Sequence, residues 1–213
     1  MTEGKVSVPK PVLKRLPRYL RYLRGKKQEG MERISSTVIS ADLLLNPVQV
    51  RKDLAYVSDS GKPRTGFSVD ELIEGIELFL GYGSVKDAVL VGAGHMGTTL
   101  LAYEGFAGYG LNILAAFDAD ERLAGTEICG KPVFPASRIS EMTERLCASI
   151  GIITVPAGAA QAVCDQLVAG GVQAIWNFAP VHLEVAENVI VQNEDIAASL
   201  ALLSNRLAER NGR

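Results

Sequence analysis

The chain is short of the residues that carry most metal and thiol chemistry. Its 213 residues include only three cysteines, two histidines and one tryptophan. Cys129, Cys147 and Cys164 are odd in number and lack the paired spacing of a zinc site. They read as reduced packing thiols in a cytoplasmic chain, with no metal site expected. No run of about 18 apolar residues occurs, so no membrane span is expected. The N-terminus is basic but has no apolar core ahead of a small-residue cleavage site, which argues against a secretory leader. Internal repeats and low-complexity tracts are missing too. With 47% hydrophobic residues and 21 glycines the chain reads as globular, with room for one or two domains.

What the chain does have is divided charge. Residues 1–66 carry 14 Lys or Arg against 6 Asp or Glu, a net of +8. Residues 67–213 carry 8 against 18, a net of −10. A near-neutral total of −2 therefore hides a basic block joined to an acidic, apolar-rich one. That asymmetry points to a nucleic-acid surface attached to a ligand-binding body; a solvated basic face is the alternative.

The basic block divides into short helices. Residues 1–14 read as an arm. Leu16, Leu20 and Leu23 recur at helical spacing and predict a first helix near 16–29, with Pro17 in its first turn and Gly30 closing it. Ser35 or Ser36 can cap a second helix ending at Leu43 or Leu44. Asn46 as N-cap and Pro47 as first residue open a third helix, in which Val50 and Leu54 face the core. Gln49, Arg51, Lys52 and Asp53 then lie mostly outward. Residues 58–66 are turn-rich and carry Lys62 and Arg64 at a hairpin tip. Three short helices and a basic hairpin describe a winged helix-turn-helix, whose third helix enters the major groove of double-stranded DNA. Arg51 and Lys52 would read guanine O6 and N7, and Gln49 would read adenine. Lys62 and Arg64 would meet phosphate or the minor groove, while Lys14, Arg15 and Arg18 would track the backbone. A small helical cap solvated by its charges is the competing reading. Residues 70–80 are apolar at helical spacing and are expected to link the two blocks.

From residue 86 onward the pattern alternates strand and helix, as a doubly wound parallel sheet requires. Strands are predicted near 88–92, 111–117, 132–134, 149–155, 173–178 and 188–192, and helices near 95–104, 137–146, 158–169 and 195–209. The fold class is thus α/β: a winged helix-turn-helix followed by a Rossmann-type sheet and a C-terminal helix. The expected boundaries are 1–82, 83–192 and 193–213.

The strand Val89-Leu90-Val91 runs into Gly92-Ala93-Gly94-His95-Met96-Gly97, and a second apolar run ends at Asp118. Strand, glycine turn, helix, strand and acid form the dinucleotide fingerprint. Gly92 would make the tight turn, Gly94 would admit the pyrophosphate and Gly97 would let helix and strand approach. Asp118 would accept from the adenosine ribose and repel a 2′-phosphate, favouring NAD(H); Asp120 could share that role, and nearby Arg122 keeps NADP as the lesser alternative. Thr154, Pro156 and Asn177, at the ends of later strands, are candidates for the nicotinamide end. His95 is expected to be a bystander of the loop, His182 a surface residue and Trp176 core. Only about 120 residues follow the loop, too few for a substrate domain. Tyr22 with Lys26 and Tyr82 with Lys86 match a dehydrogenase spacing, but both pairs precede the glycine loop, so no catalytic residue is assigned. The chain is read as no enzyme. A small NAD-dependent oxidoreductase and a CoA or adenine-nucleotide-binding module remain the rivals.

These residues resemble the Rex family of redox-sensing transcriptional repressors over nearly the whole chain. The resemblance rests on Arg15-Leu16-Pro17-x-Tyr19-Leu20-Arg21, Gln49 to Leu54, Gly61, Gly66-Phe67, the glycine loop, Phe117-Asp118 and Asn177-Phe178-Ala179-Pro180. The Lys62-Pro63-Arg64 segment departs from the glycine-richer wing of that family. The resemblance implies a homodimer that represses respiratory and fermentative genes at inverted repeats with TTGTG-like half-sites. It implies release by NADH, with NAD competing weakly. It implies a last helix swapped onto the partner, for which Ile196, Leu200, Leu203 and Leu207 supply an apolar stripe. By position, Tyr103, Asp195 and Arg21 match three residues that exchange partners between the two states.

Overall fold

Val12, Leu16, Tyr19, Leu20 and Leu23 all point inward from one helix, each at most 5% exposed. That stripe sets the length of α1, Lys10–Gln28, in the computed structural model, which describes residues 9–58 and 66–211. The helix begins six residues earlier than the leucine spacing alone predicts. Pro11 occupies its first turn, and Pro17 lies inside it. Burial of Val12 a full turn before Leu16 outweighs the hydrogen bond that Pro17 cannot donate.

After α1 come β1, Arg33–Ile34, α2, Ser36–Asp42, and α3, Pro47–Leu54. Ser35 caps α2 by accepting from the Val38 amide, and Asn46 caps α3 by accepting from Val48 and Gln49. Both caps fall where the sequence places them. Leu44, between the two helices, has a φ of +52° and is 91% exposed. Strand β2, Phe67–Ser68, pairs antiparallel with β1. The expected hairpin tip, with Lys62 and Arg64, lies outside the described residues, as does most of the arm.

Helix α4, Val69–Leu80, is a core element, not the connecting segment expected from the sequence. Leu72, Ile73 and Ile76 join the α1 stripe in one cluster with Ile39, Val50 and Leu54. Ion pairs of 2.7 Å, Arg24 with Glu77 and Lys27 with Asp70, flank the α1–α4 contact. Gly75 is obligatory in α4, because a Cβ there would run into the Val57 carbonyl.

The chain divides into two compact units, Met1–Ser84 and Val85–Arg213. The second is a seven-stranded sheet. Its strands are β3 (Lys86–Val91), β4 (Leu111–Asp118), β5 (Glu127–Ile128), β6 (Lys131–Pro135), β7 (Ile150–Ile153), β8 (Ala174–Asn177) and β9 (Ile190–Asn193). Their order is β5-β6-β4-β3-β7-β8-β9. Every pairing is parallel except the β5–β6 hairpin, which the hydrophobic pattern does not announce. Helices α5 (His95–Leu101), α6 (Ile139–Arg145), α7 (Ala157–Ala169) and α8 (Ile196–Arg210) complete the unit; α5 ends three residues before the predicted 104, and a 3₁₀ turn follows over Glu104–Tyr109. Two clusters form the core, one around Val89, Phe117 and Leu167 and the other around Leu90, Ala116 and Ile152. The chain leaves β3 toward β4 and β6 on one side, then returns to build β7, β8 and β9 on the other. A switch point therefore opens between β3 and β7, where α/β sheets of this kind bind ligands at the carboxyl ends of their strands.

Candidate functional sites

The glycine loop lies at that switch point. Gly92 has a φ of +101°, which side chains resist, and a Cβ there would sit 2.9 Å from the Thr154 carbonyl carbon. Thr154 packs its hydroxyl against the Val91 and Gly92 carbonyls at 3.0 and 2.7 Å, tying the β7 end to the loop. Gly97 is buried under a different constraint, since a Cβ there would strike the Gly92 carbonyl oxygen and lie 3.0 Å from Leu90 Cδ2. At Gly94 nothing lies within 4 Å of where a Cβ would be. One glycine makes the turn, one leaves space and one allows close packing, the division of roles that pyrophosphate binding requires.

Asp118 does more than the ribose contact expected of it. Its carboxylate accepts from the Ala93 amide at 2.7 Å and from the Asp120 amide at 2.8 Å. It thus braces the glycine loop from the end of β4 and keeps lone pairs for a hydroxyl ligand. Thr98 adds a second brace by donating to the Ala93 carbonyl at 3.0 Å, a contact that no spacing rule picks out. Asp120 is committed elsewhere: the Arg122 guanidinium grips it at 2.6 and 2.9 Å and holds its carboxyl well below the usual range, at about 2. Arg122 is correspondingly paired with Asp120. His95 and Met96 form the exposed first turn of α5, whose Gly94 N-cap supplies no side-chain acceptor for their amides.

Asn177 requires a correction. It is fully buried, and its amide donates to the Ala179 and Val181 carbonyls and to Asn193, while its oxygen accepts from the Ala179 amide. A side chain so enclosed shapes the loop that follows β8 and is not itself a ligand contact. That loop lines a cleft of about 660 Å³ through Phe178, Pro180 and His182, with Asp195 and Leu200 opposite. His182 is exposed, as expected, yet belongs to this cleft. Pro156 is the exposed N-cap of α7. Trp176 is half-buried: it donates to Glu194 at 3.0 Å, meets Phe106 edge to face and lies tilted against Phe178.

Of the three residues matched by position, Tyr103 is 53% exposed and meets Phe106 edge to face, with ring centroids 4.8 Å apart. Asp195 caps α8 by accepting from the Ala198 amide at 2.8 Å. Arg21 is exposed on α1. Along α8, Leu200, Leu203 and Leu207 are 62, 64 and 55% exposed; the side chain of Ile196 is not among those described.

In the N-terminal unit, Val50 and Leu54 are buried while Val48, Arg51 and Lys52 are exposed, which leaves α3 with one basic outer face. Asp53, expected outward, is instead 2% exposed. It accepts from Arg15 Nε at 2.6 Å, from a second Arg15 nitrogen at 2.8 Å and from the Tyr19 hydroxyl at 2.7 Å. Burial first, and then the Asp53 contact, pushes the Tyr19 hydroxyl up. The forked bond to Asp53 likewise raises Arg15. Arg15 is therefore a strut between α1 and α3 and not the free phosphate contact the sequence suggests. A signal for this exists: position 53 follows Val50 by three and so falls on the inward face of α3. Arg18 donates to the Leu43 carbonyl at 2.7 Å and closes the end of α2.

A family profile described as "CoA binding domain" matches residues 84–181, and one described as "Putative DNA-binding protein N-terminus" matches residues 7–55. The chain is 42% identical to the redox-sensing transcriptional repressor Rex of Bacteroides thetaiotaomicron, over 94% of this chain and 91% of that one. It is also 42% identical to the protein of that name from Treponema denticola, over 94% of this chain and 96% of its relative. Among solved structures it is similar to the Rex-family repressor RSP in complex with β-NAD⁺ and operator DNA, with a TM-score of 0.90, 34% identity, and coverage of 97% and 95% of the two chains. The same repressor in complex with β-NADH gives a TM-score of 0.86 at 33% identity, with 97% of each chain covered.

Proposed function

The chain belongs to the Rex family of redox-sensing transcriptional repressors, and on that premise we propose that it binds operator DNA when free or NAD-bound and leaves it on binding NADH. The observation that carries this reading is the pairing, in one chain, of two sites. One is a glycine loop at the sheet's switch point, braced by Asp118. The other is a capped α3 with Val48, Arg51 and Lys52 outward. RSP, a relative by fold and sequence, is described with operator DNA, with β-NAD⁺ and with β-NADH.

The nucleotide would lie with its pyrophosphate over Gly94 and the first amides of α5, and its ribose on Asp118. Its nicotinamide would point toward Thr154, Pro156 and the loop that Asn177 shapes. A dry pocket around that ring disfavours the cationic nicotinamide of NAD and so favours NADH. Arg51 and Lys52 would contact base edges and Arg18 phosphate, with Lys62 and Arg64 at the wing. Arg21, Tyr103 and Asp195 are proposed to change partners between the two states. A ligand that prefers one state by about 5 kcal/mol is enough to invert the populations.

The test is fluorescence anisotropy on a labelled inverted-repeat duplex, titrated with protein and then with NADH, NAD or CoA. Release at lower NADH than NAD concentration supports the reading. Release by CoA alone, or by none of the three, would overturn it.

Helix α8 is proposed to pair with a second copy, since three leucines at 3-4 spacing, Leu200, Leu203 and Leu207, lie open along it. Leu203→Glu is expected to turn a dimer into a monomer in sedimentation velocity and to weaken operator binding steeply, because two half-sites would no longer be held at once. A monomeric wild-type protein would refute the pairing.

A further inference from the structure

Gln49 lies on α3 with its side chain against the Arg15 guanidinium, and it is half-buried while Val48, Arg51 and Lys52 are exposed. Hydrogen-bond chemistry assigns the carbonyl to the amide end that faces Arg15. Oriented this way, the oxygen lies 2.9, 3.0 and 3.3 Å from the three guanidinium nitrogens. Arginine only donates, so the –NH₂ end cannot occupy that position without facing a cation that offers it nothing. Near-equal distances to all three nitrogens put the oxygen over the face of the cation, where its negative end is favoured. Arg15 in turn cannot swing away, because Asp53 holds its edge with two bonds and is itself closed in by Tyr19.

We infer that Arg15 orients Gln49 so that only its –NH₂ group faces the DNA, and that Gln49 therefore takes a base edge offering an acceptor (a purine N7, guanine O6 or thymine O4) and rejects cytosine, whose edge offers only the N4 donor. This rests on the DNA-binding reading above. It departs from the adenine contact expected of glutamine in the major groove. That contact is bidentate and needs the carbonyl to accept from adenine N6 while the –NH₂ donates to N7. Here the carbonyl is turned toward α1. Arg15 becomes a positioning residue for base readout, in addition to its structural role beneath α3. A groove of about 460 Å³ lined by Arg15, Val48, Gln49 and Lys52 brings these groups to one surface.

The experiment uses the full chain and an unbiased pool of random duplexes, from which bound sequences are selected for wild type, Gln49→Met, Gln49→Glu and Arg15→Lys. Circular dichroism melts accompany each variant. For wild type, one position of each half-site should exclude cytosine. Replacing a guanine there by 7-deazaguanine, or a thymine by a pyrimidine lacking O4, should weaken binding about tenfold, the low end of what base-edge contacts contribute. Gln49→Met should lose the restriction and be indifferent to the base analogue. Gln49→Glu keeps an acceptor toward Arg15 but presents oxygen to the groove, and should shift that position toward cytosine, whose N4 donates. Arg15→Lys retains a cation for Asp53 but not the planar face, so the freed carbonyl should make adenine the preferred base at the same position, through the bidentate N6/N7 contact.

Failure to enrich any sequence would overturn the DNA-recognition reading together with this inference. An enriched operator that Gln49→Met selects unchanged would overturn the inference alone. So would a position specifying adenine in the wild type and lost in Gln49→Met.

Discussion

Asp53→Ala is expected to separate the two activities of the chain: operator binding is lost while NADH binding is kept. The substitution removes a carboxylate that is 2% exposed and accepts three hydrogen bonds. It leaves the Arg15 cation half-buried without its partner and the Tyr19 hydroxyl without an acceptor. Breaking a buried pair from one side costs about 3 kcal/mol or more, far beyond the worth of a surface ion pair. In a unit the size of the N-terminal one, that lowers the melting midpoint by roughly 15 °C. Arg24–Glu77, half-buried, and Lys27–Asp70, exposed, serve as the control: neutralising either should shift the midpoint far less. The measurement is a thermal melt alongside anisotropy on the operator and a separate NADH titration. The glycine loop belongs to the other unit, so NADH affinity should change little. An Asp53→Ala protein that melts like wild type and binds its operator normally would show that the strut is dispensable.

The second large effect is a contrast between two neighbouring glycines. Gly94→Ala places its methyl where nothing lies within 4 Å, at a φ of −68° that any residue adopts. Stability should hold or rise slightly, since alanine restricts the unfolded chain. The methyl would stand where the pyrophosphate must approach, so NADH binding should fall roughly 30- to 100-fold, equivalent to about 2–3 kcal/mol. Gly97→Ala drives its methyl into the Gly92 carbonyl, a backbone group that cannot rotate away. Overpacking of this kind costs about 1–3 kcal/mol. Gly97→Ala should therefore lose both stability and NADH. If Gly94→Ala kept full NADH affinity, the pyrophosphate would not lie over this loop.

Local features of this fold are legible in the amino-acid sequence. The caps at Ser35 and Asn46 fall where small polar residues precede apolar periodicity, because capping is a local matter of one side chain and two amides. The parallel strands are legible as apolar runs for the same kind of reason: a strand buried on both faces has no polar positions to interrupt it. The glycine fingerprint is legible because each glycine answers a steric demand set within a few residues. Other elements are not legible in this way. Helix α1 starts early because Val12 finds a pocket, and α4 is core because its apolar face meets α1; neither partner can be read from the helix concerned. The β5–β6 hairpin is hidden because β5, two residues long, carries no periodicity.

The site residues divide along the same line. The charge split, the capped basic helix and the strand–glycine–acid pattern depend on composition and on spacings of a few residues, so the sequence alone determined that this chain joins a DNA-binding block to a dinucleotide fold. Which polar side chains face a ligand and which hold the frame depends on contacts across 16 to 38 residues of chain. From the sequence Asp53 reads as outward-facing, Arg15 as a phosphate contact and Asn177 as a nicotinamide contact, yet Asp53 pairs with Arg15 and Asn177 with Asn193. Only the packing of α1 on α3, and of β8 beside β9, decided that Asp53 and Asn177 are buried. A buried polar group must find its partners inside, and those partners are chosen by the fold and not by their neighbours in the chain.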